Sequence, residues 1–404
     1  MKTRAFLKTA LLAATASVAL LPAPASAAAE EGVDWILNMR LRGESVDQDG
    51  AANEAEALTL RTRFGVQATL SENFSFLIEG ENVTHLVDDF NDTTNGLAGY
   101  PVIADPEATE LNRAQISWTH ADGYSAMLGR QRIILGDARY VGNVGFRQNE
   151  QTFDAAVFGL QPVDGLNVTY AYLDRVHRIF GDDHPAGELD LNAHALLAAY
   201  DAGAGTLTGF AILADVEDAG VISNATYGVN WTGTFGGEGE PSWRYLIEYA
   251  HQSDHADNPL SFDLSMFRAE IGVSQNGLNA LLGVEQLNGN GTVGFMTPLA
   301  TLHKFQGWAD AFLTTPADGI RDIYIRVGYT FPEVPIGQSL NTAIIYHDFD
   351  SENGGGDLGS EIDFVVNSGL TDNVSLQFKA AIFDGGDSGP ADRDKFWLGL
   401  TYSR

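Results

Sequence analysis

The sequence has no cysteine, few cations and no long apolar run, and each shortage excludes something. Without cysteine there is neither a disulfide framework nor a thiolate metal site. A chain of 404 residues does not need one to bury a core. Lys and Arg number 23 against 54 Asp and Glu, a formal net charge of −31. Nucleic acid requires a basic footprint, so no nucleic-acid partner is expected. Past residue 27 no stretch approaches the ~18–20 consecutive apolar residues of a membrane-spanning helix. Disorder is excluded as well, because 44% of the chain is hydrophobic and 10% aromatic. P-loop, G-x-S-x-G, H-E-x-x-H and C-x-x-C patterns are all missing. Ser, His and Asn occur, but nothing in the sequence gathers them, and no enzyme is expected.

The first 27 residues read as an export signal. Lys2, Arg4 and Lys8 precede an apolar stretch at 10–21, and Ala25-Ser26-Ala27 supplies a small-residue cleavage site. Pro22 and Pro24 end the apolar stretch too early for a first transmembrane helix. Residues 28–404 contain no linker or composition shift and are read as one domain.

That domain is dominated by alternation. Leu58, Leu60, Phe64, Val66, Ala68 and Leu70 fall on one face of an extended segment. Thr59, Arg61, Arg63, Gln67 and Thr69 fall on the other. Successive side chains of a strand point to opposite faces, so one side meets an apolar medium and the other water. The same period predicts eighteen strands. They span 34–45, 56–70, 74–83, 110–120, 124–131, 151–161, 165–175, 190–200 and 205–215. The remaining nine span 222–232, 242–251, 262–274, 278–286, 320–330, 340–348, 360–368, 374–383 and 395–402.

The connections alternate in kind. One set is mostly tight, such as Ser71-Glu72-Asn73, Ala121-Asp122-Gly123 and Gln275-Asn276-Gly277, with the Gly, Asn and Asp that hairpin turns use. The other set tends to be longer, at 84–109, 132–150, 176–189 and 287–319. An up-and-down barrel in an outer membrane has this rhythm, with short periplasmic turns and long external loops. The fold expected is all-β, a transmembrane antiparallel barrel of about 18 strands in the outer membrane of a Gram-negative bacterium. Its apolar face carries Trp35, Phe74, Trp118, Tyr124, Trp243, Tyr249, Tyr329 and Tyr402 near strand ends, as girdles at a lipid interface do.

The opposite face is charged. Arg40, Arg42, Arg61, Arg63 and Arg113 lie on the first strands, and Arg244, Arg268, Arg326 and Lys379 on later ones. Glu79, Glu81, Glu248, Glu270, Glu285, Glu361 and Asp363 share that wall. A dry core would have to pair every one of these charges, whereas a water-filled lumen holds them readily. The alternative is that Arg and Glu pair into ladders that stiffen the wall. Arginine binds carboxylates through two parallel hydrogen bonds, which points to anionic solutes such as uronates. The acidic stretches 88–92 and 384–387 could offer oxygen ligands to Ca²⁺ but lack a full coordination loop. They are read as solvated loops, and no cofactor is expected.

Three stretches carry a family resemblance. Gly129-Arg130-Gln131, Gly136-Asp137-Ala138-Arg139-Tyr140-Val141-Gly142, Phe146-Arg147-Gln148 and Thr152-Phe153-Asp154 form the first. Leu302-His303-Lys304-Phe305-Gln306-Gly307-Trp308-Ala309-Asp310-Ala311-Phe312 is the second, and Tyr346-His347-Asp348-Phe349 the third. Together they resemble the alginate-export family of outer-membrane proteins. The resemblance implies a monomeric eighteen-stranded barrel and a channel for anionic polysaccharide. It makes Arg130, Arg139 and Arg147 candidates for a constriction on an inward-folded loop. The segment 287–319, with His303 and Asp310, is the second such loop, unless it packs externally on its neighbours. The function expected is an outer-membrane channel for anionic sugars or polysaccharide. A general diffusion porin, a structural or adhesive barrel with a plugged lumen, and a soluble secreted β-protein are the alternatives.

Overall fold

The computed structural model describes residues 32–404 apart from 238 and 335. The export signal read at 1–27 lies outside the described residues. Eighteen strands form one sheet. β1 is Gly32–Gln48, β2 Ala55–Thr69, β3 Phe74–Asp89, β4 Ala108–His120, β5 Tyr124–Gln131 and β6 Thr152–Val163. Then come β7 Leu166–His177, β8 Glu188–Asp201, β9 Thr206–Ala214, β10 Asn224–Gly236, β11 Ser242–Asp254 and β12 Asp263–Gln275. The last six are β13 Leu278–Leu287, β14 Ile320–Thr330, β15 Ser339–Asp350, β16 Asp357–Gly369, β17 Val374–Gly385 and β18 Arg393–Ser403. Each strand pairs antiparallel with its sequence neighbours, and β1 pairs with β18 to close the barrel.

All eighteen strands fall where the alternation places them, and short and long connections alternate except at 331–338, which is longer than the 351–356 connection that follows it. The first and last strands meet at the short-turn end, where the Leu37 amide donates to the Arg404 carbonyl at 3.1 Å and the Arg404 amide to the Leu37 carbonyl at 2.9 Å. Closure leaves no unpaired edge, the condition for strands in a bilayer.

The outer face is a continuous apolar band. Phe64 is 57% exposed and Trp35 65%, while Arg61 and Arg63 on the opposite face of β2 are buried inside. Trp35, Phe74, Tyr124 and Trp243 stand out from the short-turn rim, and Tyr227, Tyr249, Phe267, Tyr346 and Phe396 stand higher on the same surface. This is the double aromatic girdle of a transmembrane barrel.

The inner wall has two characters. Along β8, Leu189, Leu191, Ala193, Ala195, Leu197 and Ala199 all face inward and are buried. Ile133, Leu135 and Val141 of the 132–151 connection join that wall in one apolar cluster, together with Phe295 and Leu299 of the 288–319 connection. A fully buried side chain of this size contributes ~1.5–3 kcal/mol, so the apolar patch is the anchor that draws both connections into the barrel. The rest of the inner wall is charged.

One expectation is corrected. Asp174 is an unpaired bulge residue between Leu173 and Arg175, and the extra residue switches the faces beyond it. Arg175 and His177 therefore turn outward. Asp154 and its partner Arg130 on β5 face outward by plain alternation, Asp154 with Phe158 and Leu160, Arg130 with Tyr124 and Leu128. Arg130 donates to Asp154 at 2.9 and 3.2 Å on the outside of the barrel, near the long-loop rim. It does not belong to the lumen wall.

Candidate functional site

Three connections enter the lumen and meet the charged wall there. The segments 132–151 and 288–319 are joined along their backbones. Val141 lies alongside Leu299, the Gly142 amide donates to the Leu299 carbonyl at 2.9 Å, and the Thr301 amide to the Ala138 carbonyl at 3.0 Å. Among the described residues, seven non-glycine residues have positive φ, and Ala138, Val144, Gln306 and Asp310 of that set lie in these two segments. Such conformations are uphill for L-residues and persist where the surroundings over-determine them, commonly at functional sites.

Most of the arginines named from the sequence hold these segments in place. Arg147 binds Glu44 of β1 at 3.2 Å and Asp310 of the other segment at 3.0 Å. Arg42 pairs with Asp105, which the 90–107 connection brings into the lumen. Arg63 pairs with Glu81 and, at 3.4 Å, with Glu150. Arg113 grips both oxygens of Glu79 at 2.9 Å, and Asn112 links Glu79 to Glu150. On the opposite side Arg139, 1% exposed, donates to Glu285 at 2.8 Å. Arg268 joins Asp137 at 2.7 Å to Glu248 at 2.9 Å, and the Tyr140 hydroxyl donates to Glu248 at 2.7 Å. The ladders that the sequence left as an alternative exist: Arg63–Glu81, Arg113–Glu79 and Arg268–Glu248 join neighbouring strands of the wall, and the other pairs run between wall and loops.

Three luminal arginines differ. Arg40 and Arg61 are direct cross-strand partners, and among the described residues neither has a carboxylate within ion-pair distance. Like charges placed opposite destabilise a sheet, so the pair stands against its own repulsion. Arg40 donates to Gln148 Oε1 at 2.8 Å and to the Gly145 carbonyl at 3.1 Å, while Arg61 donates to Asn38. Arg326 makes no ion pair among the described residues. Arg244 approaches Glu270 at 4.0 Å.

A second set of contacts locks the 288–319 segment. Asp310 accepts from Lys395 at 2.9 Å as well as from Arg147, and His303 Nδ1 donates to it at 2.7 Å. Lys379 donates to His303 Nε2 at 2.7 Å, with its ammonium 3.8 Å from the Trp308 ring centroid and 4.2 Å from that of Phe146. Phe146 stacks on His303 at 3.7 Å. Burial, then the Lys379 charge, pushes the His303 imidazole down to about 3, so it is neutral and can accept from Lys379 while donating to Asp310. Burial alone would raise Asp310, but Lys395, His303 and Arg147 hold it well below the usual carboxylate range. Glu150 is held low in the same way, burial being outweighed by Arg63 and Arg132. At Gly307, φ +80°, the chain passes so close to Glu361 that a Cβ would overlap its carboxylate, and the Ala309 amide donates to Glu361 at 2.8 Å.

Below the segments two spaces open toward the short-turn end. One, of about 620 Å³, lies between Phe305 and Trp308 of the 288–319 segment and Arg244, Glu270, Tyr324 and Arg326 on the wall. The other, of about 410 Å³, lies beneath Phe146 beside Arg40, Gln377 and Trp397. The wall beside the second space is rich in arginine, and the wall of β13–β16 carries Glu285, Asp322, Glu361 and Asp363. Sequence reasoning missed Asp105, Gln148 and Glu150, which sit in aperiodic connections where no face is assigned, and Tyr324, hidden among outward-looking aromatics. Among the described residues no group of side chains is arranged to hold a metal ion.

No protein-family model matches the chain, and no curated protein matches it. Solved structures do. OccAB4 of Acinetobacter baumannii superposes with a TM-score of 0.71 at 14% identity, over 93% of this chain and 99% of that one. OccK9 (OpdG) of Pseudomonas aeruginosa gives 0.71 at 15% identity over 92% and 98%, and OccK11 (OpdR) of the same organism 0.69 at 15% over 92% and 95%. These are Occ/Opd outer-membrane porins, which support a porin-like barrel and not the alginate-export family specifically. At such identities it is one of fold: the chain has the closed 18-stranded antiparallel barrel of a porin.

Proposed function

We propose that the protein is a passive channel in the outer membrane of a Gram-negative bacterium, passing small carboxylate-bearing solutes such as uronates. The carrying observation is Arg40 opposite Arg61, two luminal cations kept side by side without a carboxylate partner. Such a pair attracts anions from the short-turn side, and a guanidinium suits a carboxylate in geometry as well as charge. The size of the larger space, about 620 Å³, favours mono- or disaccharides over an extended polymer. On this reading the working unit is the monomer, and its only standing partner is lipid.

A second reading has its own observation. The inward segments are packed so closely, with Arg139, Gln148 and Asn149 nearly inaccessible, that a plugged structural barrel is the competitor. Liposome swelling separates the two. Vesicles containing the purified protein should swell in isotonic glucuronate faster than in glucose and not at all in a long uronate polymer. No swelling in any small solute supports the plugged barrel, and equal rates for glucose and glucuronate support a general porin.

A further inference from the structure

β5 is the shortest of the described strands, and it leaves the wall incomplete above it. It pairs with β4 only as far as Arg130 opposite Ala114, after which the chain turns into the lumen. The edge of β4 from Ala108 to Arg113 therefore has no strand on that side. This edge stands above the apolar band, where the outward face has turned polar: Asn82 Nδ2 donates to Thr109 Oγ1 at 2.8 Å. The 178–187 connection reaches across to it. That connection is a ring of turns closed on itself. The Arg178 amide donates to the Gly187 carbonyl at 2.6 Å, the Gly187 amide to the His184 carbonyl at 2.8 Å and the His184 amide to the Gly181 carbonyl at 3.2 Å. At its base His177 lies between Asp154 at 2.9 Å and Glu188 at 2.7 Å. At its far side the Asp182 amide donates to Glu110 Oε1 at 3.2 Å, and the two carboxyl groups are hydrogen-bonded to each other. Asn149 donates to the Ile179 carbonyl at 3.2 Å.

Among the described residues no cation lies within ion-pair distance of Glu110 or Asp182. Glu81, opposite Glu110 in register, is bound by Arg63, and Glu107 accepts from the His85 amide at 3.0 Å. Arg178 turns back into its own ring, donating to the Ala186 carbonyl at 3.3 Å, and His184 Nδ1 accepts from the Ala186 amide at 3.0 Å. Asp183 is exposed. Two carboxyl groups share a hydrogen bond only while one of them is protonated, and as carboxylates they repel. We propose that 178–187 is a rigid flap hinged at His177 and Glu188 and latched at Glu110–Asp182, closed while that pair holds a proton and released when it is lost. Burial, then the Asp182 carboxyl, raises Glu110 to about 8, whereas an open flap leaves it near its ordinary 4.5. Closure is therefore strongest below about 4.5 and is lost progressively as pH rises to about 8. Opening uncovers the unpaired edge of β4. The device does not depend on which solute the channel passes.

The test measures the distance between flap and wall in the full protein. The chain has no cysteine, so spin labels attach only where they are placed, at Pro185→Cys on the flap and Leu86→Cys on β3, both exposed. Pulsed electron resonance then records the distance distribution from pH 5 to pH 9. The labelled parent should show one distance at pH 5 and a growing second population as pH rises. The closed-to-open ratio should fall by up to about tenfold per pH unit and level off above about 8. Glu110→Gln keeps a hydrogen bond to Asp182 with no proton to lose, so it should hold the closed distance at every pH. Asp182→Ala should give the open distance in acid as well. The folded state of each variant is checked by its heat-dependent gel mobility, and if Glu110→Gln does not fold, Asp182→Ala, at an exposed position, decides. A parent distance that is the same at pH 5 and pH 9, or a pH dependence that survives either substitution, overturns the inference.

Discussion

Arg147 offers the sharpest perturbation of the inward segments, because it ties together Glu44 on the wall and Asp310 on the second segment from a site of 7% side-chain exposure. Arg147→Met keeps most of the apolar stem and removes both ion pairs. Deleting one partner of a buried pair costs about 3–5 kcal/mol when the other is left alone. Here neither is alone, since Glu44 retains Arg42 at 3.5 Å and Asp310 retains Lys395 and His303. About 2 kcal/mol is then the fair expectation, which multiplies the population of displaced segments by about thirty. The barrel ladder is untouched, so the temperature at which the strands melt should change little. Single-channel recording should instead show frequent transitions to larger conductance, by roughly that factor over the parent. The double variant with Asp310→Asn should be less open than the sum of its singles by more than ~0.5 kcal/mol, the usual limit of additivity. Unchanged recordings for Arg147→Met, or strict additivity, would refute the lock.

Acid should loosen the same lock. His303 is held down near 3, so a displaced segment, with an ordinary imidazole near 6.5, takes up a proton that the docked one does not. Docking is therefore strongest above about 6.5 and is lost progressively as pH falls toward 3. Asp310 and Glu150, both held low, act in the same direction at the acid end. Conductance fluctuations should rise between pH 6.5 and 4, and a flat profile would count against the His303–Asp310 link. Gly307→Ala should displace the 288–319 segment from Glu361 and make it susceptible to added protease, while the strands remain resistant. Arg130→Gln, on the outside of the barrel, should leave conductance and ion selectivity unchanged, and any change in selectivity would contradict its outward placement.

The fold was legible because a membrane barrel writes itself in period two. The segment Leu58 to Leu70 reads the same in sequence and structure, since lipid demands apolar residues outward and each outward residue sets the face of its neighbours. Arg130 shows the reading failing where the period was set aside: it keeps the outward parity of Tyr124 and Leu128 on β5, and only its place beside the long 132–151 connection drew it into the constriction set. The inward face was legible in composition and not in partnership. Arg42 and Arg63 were visibly luminal, but the residues that bind them, Asp105 and Glu150, lie in connections without periodicity; an apolar patch on β8 anchors the connection of Glu150, and Phe90 and Ile103 packed on Val46, Ala55 and Ala57 anchor that of Asp105. Which arginines keep their charge for a solute depends on those partners. Arg40, Arg61 and Arg326 emerge only after the others are paired.

Reversal potential in a KCl gradient across a planar bilayer tests the central claim most directly. The account predicts net chloride preference in the purified parent protein, reduced when Arg40 and Arg61 are both replaced by Ala and unaffected by Arg130→Gln. Cation preference in the parent, or anion preference that survives loss of the Arg40–Arg61 pair, would contradict it.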